Sequence, residues 1–257
     1  VIALASVIGM PGVPGMPVDA SAEGHRIDDL LFDTNVLVAA LLLVVVGWLA
    51  TIAVRFGKGH QAAYEKGDGP RAWVLPVALG LFVLLVIDGN LFVRSTRDTA
   101  VFDDIAAVDA DPGVVRIEVS GRQWAWDIRY AGADGRFATP DDVVTLNDMR
   151  LPVDRPVSIQ LGAVDVIHGF YLPNFRVKRD AVPGMVNRVW FRPVELGTYD
   201  LACSQHCGAN HYLMAGRVTV LPDDQFEDWI ADESRDAKAR FDPETTSTWG
   251  WTWRPVD

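Results

Sequence analysis

The sequence predicts a two-helix membrane hairpin followed by a mostly β sandwich. Three features carry that expectation: a charge-free run from Val36 to Val54, a second apolar run from Ala72 to Val93, and a change of pattern after Asp111-Pro-Gly113. A helix rises about 1.5 Å per residue, so the first run matches a hydrocarbon core roughly 30 Å thick. Beyond Gly113 apolar and polar residues alternate with period two, the repeat of a half-buried strand.

The chain has 257 residues, enough for one to two domains, and 49% of them are hydrophobic. Its formal charge of −11 argues against nucleic acid as a partner; it would favour a basic one, or serves only to keep the protein soluble.

Taken in order, residues 1–29 begin with an apolar stretch, are broken by Pro11, Pro14 and Pro17, and hold Ala20-Ser-Ala22, similar to a signal-peptidase site. They read as a leader remnant or an extended N-terminal segment, outside the folded core. The hairpin occupies 30–98, with spans at about 35–55 and 72–93. Pro76 falls in the first turn or so of the second span, where a missing N–H costs little. Asp88, Gly89 and Asn90 interrupt the far end, and polar groups at that depth suit headgroup contact or subunit packing. The connector carries Arg55, Lys58, Lys66 and Arg71, whereas Glu23, Asp28, Asp29 and Asp33 precede the first span. The positive-inside rule puts the connector in the cytoplasm and both termini, with the β domain, on the outer side of a bacterial-type cytoplasmic membrane. A helical hairpin buried in a soluble domain is the alternative.

Residues 111–222 form the sandwich. Val115, Ile117 and Val119 alternate with Arg116 and Glu118, and Trp124, Trp126, Ile128 and Tyr130 with Ala125, Asp127 and Arg129. Further runs at 143–146, 157–161, 186–191, 198–202 and 217–221 are separated by turn residues, which predicts an antiparallel sandwich or barrel. The stretch from Asp134 to Asp142 lacks the spacing of a calcium loop and reads as an acidic turn. Residues 223–257 form a C-terminal helix and tail, amphipathic at first (Phe226, Trp229, Ile230) and ending in Trp249-Gly-Trp251-Thr-Trp253.

The chemistry is concentrated in Cys203-Ser-Gln-His-Cys207-Gly-Ala-Asn-His211-Tyr-Leu-Met214, which holds both cysteines of the chain. Two sulfurs, an imidazole and a thioether in one loop make a soft donor set that suits copper, and His168 upstream supplies a second imidazole. A Cys203–Cys207 disulfide leaves the histidines and methionine unexplained. Zinc rarely takes methionine, and a mononuclear blue-copper site leaves one cysteine over. A site for two copper ions uses all five side chains.

The loop resembles the CuA loop of subunit II of the haem–copper cytochrome c oxidases. Two other segments resemble that family in order: Gly121-Arg-Gln-Trp124-Ala-Trp126, and Asp165-Val-Ile-His168-Gly-Phe-Tyr-Leu-Pro173 with the Lys178–Gly184 stretch behind it. The resemblance implies a cupredoxin-like Greek-key sandwich. It implies that Cys203 and Cys207 bridge two copper ions, that His168 and Met214 complete one, and that His211 and the backbone carbonyl of Gln205 complete the other. Trp124 takes the place where electrons enter from cytochrome c. Subunit I with its haem and CuB, subunit III and membrane lipid are the implied partners, and oxygen is reduced in subunit I. His206 lies where the family varies, and Asp165 and Asp180 suit either steering of a basic donor or a structural role.

Three departures qualify the likeness. Gln205 replaces a glutamate that in the family also binds magnesium at the subunit I boundary, and an amide is the weaker ligand, so copper is retained and magnesium is called into question. No glutamate opens the second span near Trp73, and Met185 stands where the family has arginine. Rival readings are the CuA domain of nitrous oxide reductase, which needs a further histidine-rich domain, a quinol oxidase subunit II, which lacks the copper ligands, and a membrane-anchored metallochaperone.

Overall fold

The computed structural model describes residues 16–61, 64 and 66–240. Among these, Arg26–Val101 form one compact unit, and residues 16–25 form the other with residues 102–240. The aromatic tail at Trp249–Trp253 lies outside the described residues.

In the first unit α1 covers Gly24–Arg55. It starts well ahead of the apolar run, because its polar first turns are compatible with helix. Apolar length marks the span, not the helix. The second helix winds in three sections: α2 (Pro70–Phe82), a π-helical turn (Val83–Asp88) and α3 (Gly89–Thr99). Pro70 takes the first helical position behind an extended Gly69, so Pro76 lies inside the helix and not in its first turn. Arg94 pairs with Asp33 across the hairpin. Large apolar side chains stand exposed along both helices, Leu43 at 73% and Leu75 at 71% among them, far more apolar surface than water tolerates. Both helices are long and apolar enough to cross a membrane.

The second unit is a sandwich of two five-stranded sheets. One has the order β3 (Val143–Leu146), β2 (Ala125–Tyr130), β1 (Val115–Arg122), β5 (Val157–Ala163), β8 (Asn187–Phe191). The other runs β4 (Asp148–Pro152), β10 (Ala215–Leu221), β9 (Gly197–Cys203), β6 (His168–Leu172), β7 (Val177–Ala181). The expected all-antiparallel pairing is corrected at two places: β1 runs parallel to β5, and β4 parallel to β10. Alternation reports that a strand exists, not its partner. Here the chain crosses between sheets after β3 and returns at β5, as Greek-key connections do. The pattern also missed β4, β6 and β7, which are short and carry no clean alternation.

Ile117, Val119, Trp126, Ile128, Met149, Leu151, Phe170 and Leu201 meet between the sheets and are fully buried. Part of the outward face of the first sheet is buried too: Arg129 pairs with Glu118 and lies 3.6 Å from Asp142, beneath Phe137 of the loop that joins β2 to β3.

Residues 17–22 belong to the sandwich, contrary to their expected place outside the core. Ala20 is fully buried, its N–H donates to the Asn174 carbonyl at 2.7 Å, and its carbonyl accepts from Val194 N–H at 2.9 Å. Small side chains, which suggested a peptidase site, are also what fits beneath a sheet. Helix α5 (Phe226 and Trp229 inward, α4 being the short Ile105–Asp109) covers Asp223–Arg240, with the Trp229 ring 5.2 Å from that of Tyr130.

Candidate metal centre

The loop between β9 and β10 holds the cysteines. Cys203 is the last residue of β9 and Met214 immediately precedes β10, and the Cys203 N–H donates to the Met214 carbonyl at 3.1 Å, closing the loop on itself. Strand β6 lies beside β9 with Phe170 opposite Cys203, and Ser204 N–H donates to the Gly169 carbonyl at 2.8 Å. That register carries His168 to the loop. Two glycines permit the approach. A Cβ at Gly169 would lie 2.4 Å from Ser204 Oγ, and one at Gly121 would lie 3.0 Å from the His168 ring.

The donor atoms converge. Cys203 Sγ and Cys207 Sγ are 3.7 Å apart as free thiols, and the donor atoms of both lie within 4.8 Å of a His168 ring nitrogen. His168 Nδ1 lies 3.2 Å from Met214 Sδ, which is 3.7 Å from Cys207 Sγ. On the other side His211 Nδ1 is 3.6 Å from Cys207 Sγ, and the Gln205 carbonyl is 3.1 Å from Cys203 Sγ. Each predicted donor therefore falls in one cluster. His168 is fully buried, Met214 and Cys207 nearly so, Cys203 and His211 half-buried, and the Gln205 side chain is exposed. His206, also exposed, sits with its ring 5.5 Å from that of His211.

Burial pushes the Cys207 thiol up to about 11, and the neighbouring Cys203 adds to the shift. Two thiols held close and facing lone-pair donors are a site suited to positive charge, since metal binding releases thiol protons. Soft sulfur with imidazole fits copper.

Trp124 sits in the turn between β1 and β2, half-buried, with its ring against the loop: a Cβ on Gly208 would lie 3.3 Å from its Nε1. Gly208 has φ of 122°, a conformation that side chains rarely adopt. Gln123 Nε2 donates to the Cys207 carbonyl at 2.8 Å, a second tie between that turn and the ligand loop. Trp126 is in the core instead, its ring edge-on to His168 with centroids 5.9 Å apart.

Sequence reasoning left Asp165 undecided. Its Oδ1 accepts from His168 Nε2 at 2.8 Å, and its Oδ2 accepts from Gln123 N–H at 2.7 Å. Burial by itself would raise this carboxyl, but the bonds from His168 and the Gln123 and Val166 N–H groups outweigh it and hold the group below its usual range. Only the spacing of three residues between Asp165 and His168 hinted at the first contact.

Fold and donor set together define a membrane-anchored copper protein with a cupredoxin-like domain. The alternative cytochrome c oxidase subunit 2 of Bradyrhizobium diazoefficiens is 32% identical over 253 residues, covering 89% of this chain and 88% of that one. The cytochrome c oxidase subunit 2 of Thermostichus vulcanus is 36% identical over 264 residues, covering 83% and 77%. Residues 115–220 match the family described as cytochrome c oxidase subunit II, periplasmic domain, and the chain belongs to the cytochrome c oxidase subunit II family. Among solved structures, the periplasmic domain of subunit II of cytochrome oxidase (CoxB) of Bradyrhizobium japonicum is 30% identical, with 48% of this chain and 94% of that one covered and a TM-score of 0.42. The protein is thus a membrane-bound subunit of a haem–copper oxidoreductase complex, with a role in bringing electrons into a terminal oxidase and its β domain on the outer side.

Proposed function

We propose that this chain accepts electrons singly from cytochrome c on its outer face and delivers them to haem in subunit I, where oxygen is reduced to water. We further propose that His168, Cys203, the Gln205 carbonyl, Cys207, His211 and Met214 hold a dinuclear copper pair, CuA. The observation that carries this reading is the pair of unbonded sulfurs, 3.7 Å apart, among two imidazoles, a thioether and a carbonyl.

When bound, the copper pair supplies a one-electron change shared over two metals. Cys203 and Cys207, with their sulfurs 3.7 Å apart, would hold the pair. His168 and Met214 adjoin each other on one side of the sulfurs, and His211 and the Gln205 carbonyl lie on the other, where they would supply the remaining donors. The short loop, closed by its Cys203–Met214 backbone bond and seated on β6, keeps these donors from moving when the charge changes, and a small rearrangement favours fast transfer. Trp124 supplies a π-surface over the loop at which electrons enter. Asp165 holds His168 through Nε2 and leaves Nδ1 towards the cluster.

In this reading residues 30–98 are the membrane anchor and 111–222 the copper domain, with both termini outside. Subunits I and III are the partners within the membrane. Gln205 presents an exposed amide in place of a carboxylate, which supports copper without the neighbouring magnesium.

Metal analysis of the purified oxidase, with electron-spin resonance of the oxidised form, tests the proposal. Two coppers per chain with a mixed-valence, seven-line signal are expected. Zinc alone, or a single Cu(I) that exchanges freely, would overturn it.

A further inference from the structure

The second transmembrane helix holds a carboxylate that nothing in the hairpin satisfies. Asp88 closes the π-helical turn Val83–Asp88, after which Gly89 N–H donates to the Leu84 carbonyl, five residues back. Its side chain is exposed and has no hydrogen-bond or ion-pair partner among the described residues. At about 1.5 Å per residue it stands roughly 24 Å along the helix from Ala72 and about 8 Å short of Val93, below the outer edge of a hydrocarbon core about 30 Å thick. The hairpin's neighbouring charges behave differently. Arg94 and Asp33 neutralise each other across the two helices.

The direction of Asp88 follows from helix geometry. Val83, Ile87, Gly89, Leu91, Arg94, Ser95 and Asp98 are partly covered positions of this helix, whereas Asp88 is exposed. Six residues separate Asp88 from Arg94, which places the two about 120° apart around the axis. Since Arg94 is turned to α1, Asp88 looks away from it. An aspartate has a single methylene and does not snorkel as lysine or arginine does. A wide π turn is an uncommon winding that tends to accompany functional positions, and here it ends on the one acidic residue between Trp73 and Val93.

We propose that Asp88 forms an intramembrane ion pair with an arginine or lysine on a transmembrane helix of a partner subunit, fixing the hairpin in the oxidase complex. The inference rests on membership of the complex but not on the copper assignment. A lone carboxylate facing lipid is costly, and a cation at the same depth is the group that removes the cost for both. Asn90, two residues on and on another face, is the natural control.

The test uses the whole oxidase, extracted in mild detergent through a tag on this chain, with haem retained per chain as the readout for Asp88→Asn, Asp88→Leu, Asp88→Glu and Asn90→Leu. Asp88→Asn and Asp88→Leu are expected to retain on the order of 100-fold less haem, the order expected when one partner of a dehydrated pair is removed, while Asp88→Glu and Asn90→Leu retain the wild-type amount. Full retention by Asp88→Leu would overturn the contact, and full retention by Asp88→Asn would overturn the cationic partner. Equal loss in Asn90→Leu would reduce Asp88 to general hairpin packing and overturn the proposal too. The amount of tagged chain recovered from the membrane, measured on the same samples, reports whether each variant has folded: unchanged chain with lost haem is the expected combination, and loss of the chain itself in every Asp88 variant, Asp88→Glu included, would count against it.

Discussion

Asp165 joins the two halves of the metal centre through one carboxylate. One oxygen accepts from His168 Nε2–H and the other from the Gln123 backbone N–H beside Trp124, so the group ties the tautomer of a candidate ligand to the position of the aromatic turn. Replacing Asp165 by Ala is expected to weaken copper retention about 10- to 100-fold, the usual effect of losing an outer-shell partner. Competition of the purified oxidase against a copper chelator measures it, and wild-type retention would show that His168 needs no such support. The candidate ligands were legible in the sequence because sulfur and imidazole at short spacing have few uses. Asp165 was not, since its role depends on a bond to Gln123, 42 residues away along the chain.

At the scale of elements, the outward face of the first sheet carries charge where alternation promises solvent. Arg129, Glu118 and Asp142 are covered by the loop after β2, with Ala138 N–H and Thr139 Oγ1 donating to Asp142 at 2.7 and 3.1 Å. Burial raises the Asp142 carboxyl above its ordinary 3.8, and these donors together with Arg129 offset only part of the rise. A carboxyl whose folded value is raised binds its proton better in the folded protein. Its contribution to stability is therefore fully present below pH 3.8 and is lost as pH rises through the folded value. Asp142→Asn removes that dependence. The stability difference between wild type and variant, followed by denaturant unfolding across this window, is expected to shift against the wild type as pH rises, and a flat difference would contradict the burial argument. The sequence marked this stretch as an acidic turn but could not say that it roofs a sheet.

For the molecule as a whole, membrane topology and site chemistry bear on each other. An outward domain meets an oxidising compartment, and its two thiols stand 3.7 Å apart with no bond between them. A copper-free chain exposed to air is expected to pass two protons and two electrons from Cys203 and Cys207 to oxygen and close a disulfide, with loss of copper uptake until a thiol reductant is added. Thiol titration before and after reduction, alongside copper uptake, measures this. Two titratable thiols persisting in air would show that the loop holds the sulfurs apart more firmly than their spacing suggests.

The order of the chain alone determined the two spans, the basic character of the connector, the change to strands and the soft donor residues of the candidate copper site. These are local properties: apolar length, period and donor type are written in consecutive residues. Tertiary structure decided the rest. The parallel pairings of β1 with β5 and of β4 with β10 depend on where the chain crosses between sheets. Residues 17–22 joined the sandwich because it offered backbone partners at Asn174, Arg192 and Val194. His168 reached the cysteines because β6 lies beside β9, and the approach is open because Gly169 and Gly121 leave no Cβ in the way. Contacts between distant segments arise from packing and pairing, and no window of the sequence contains both sides of them.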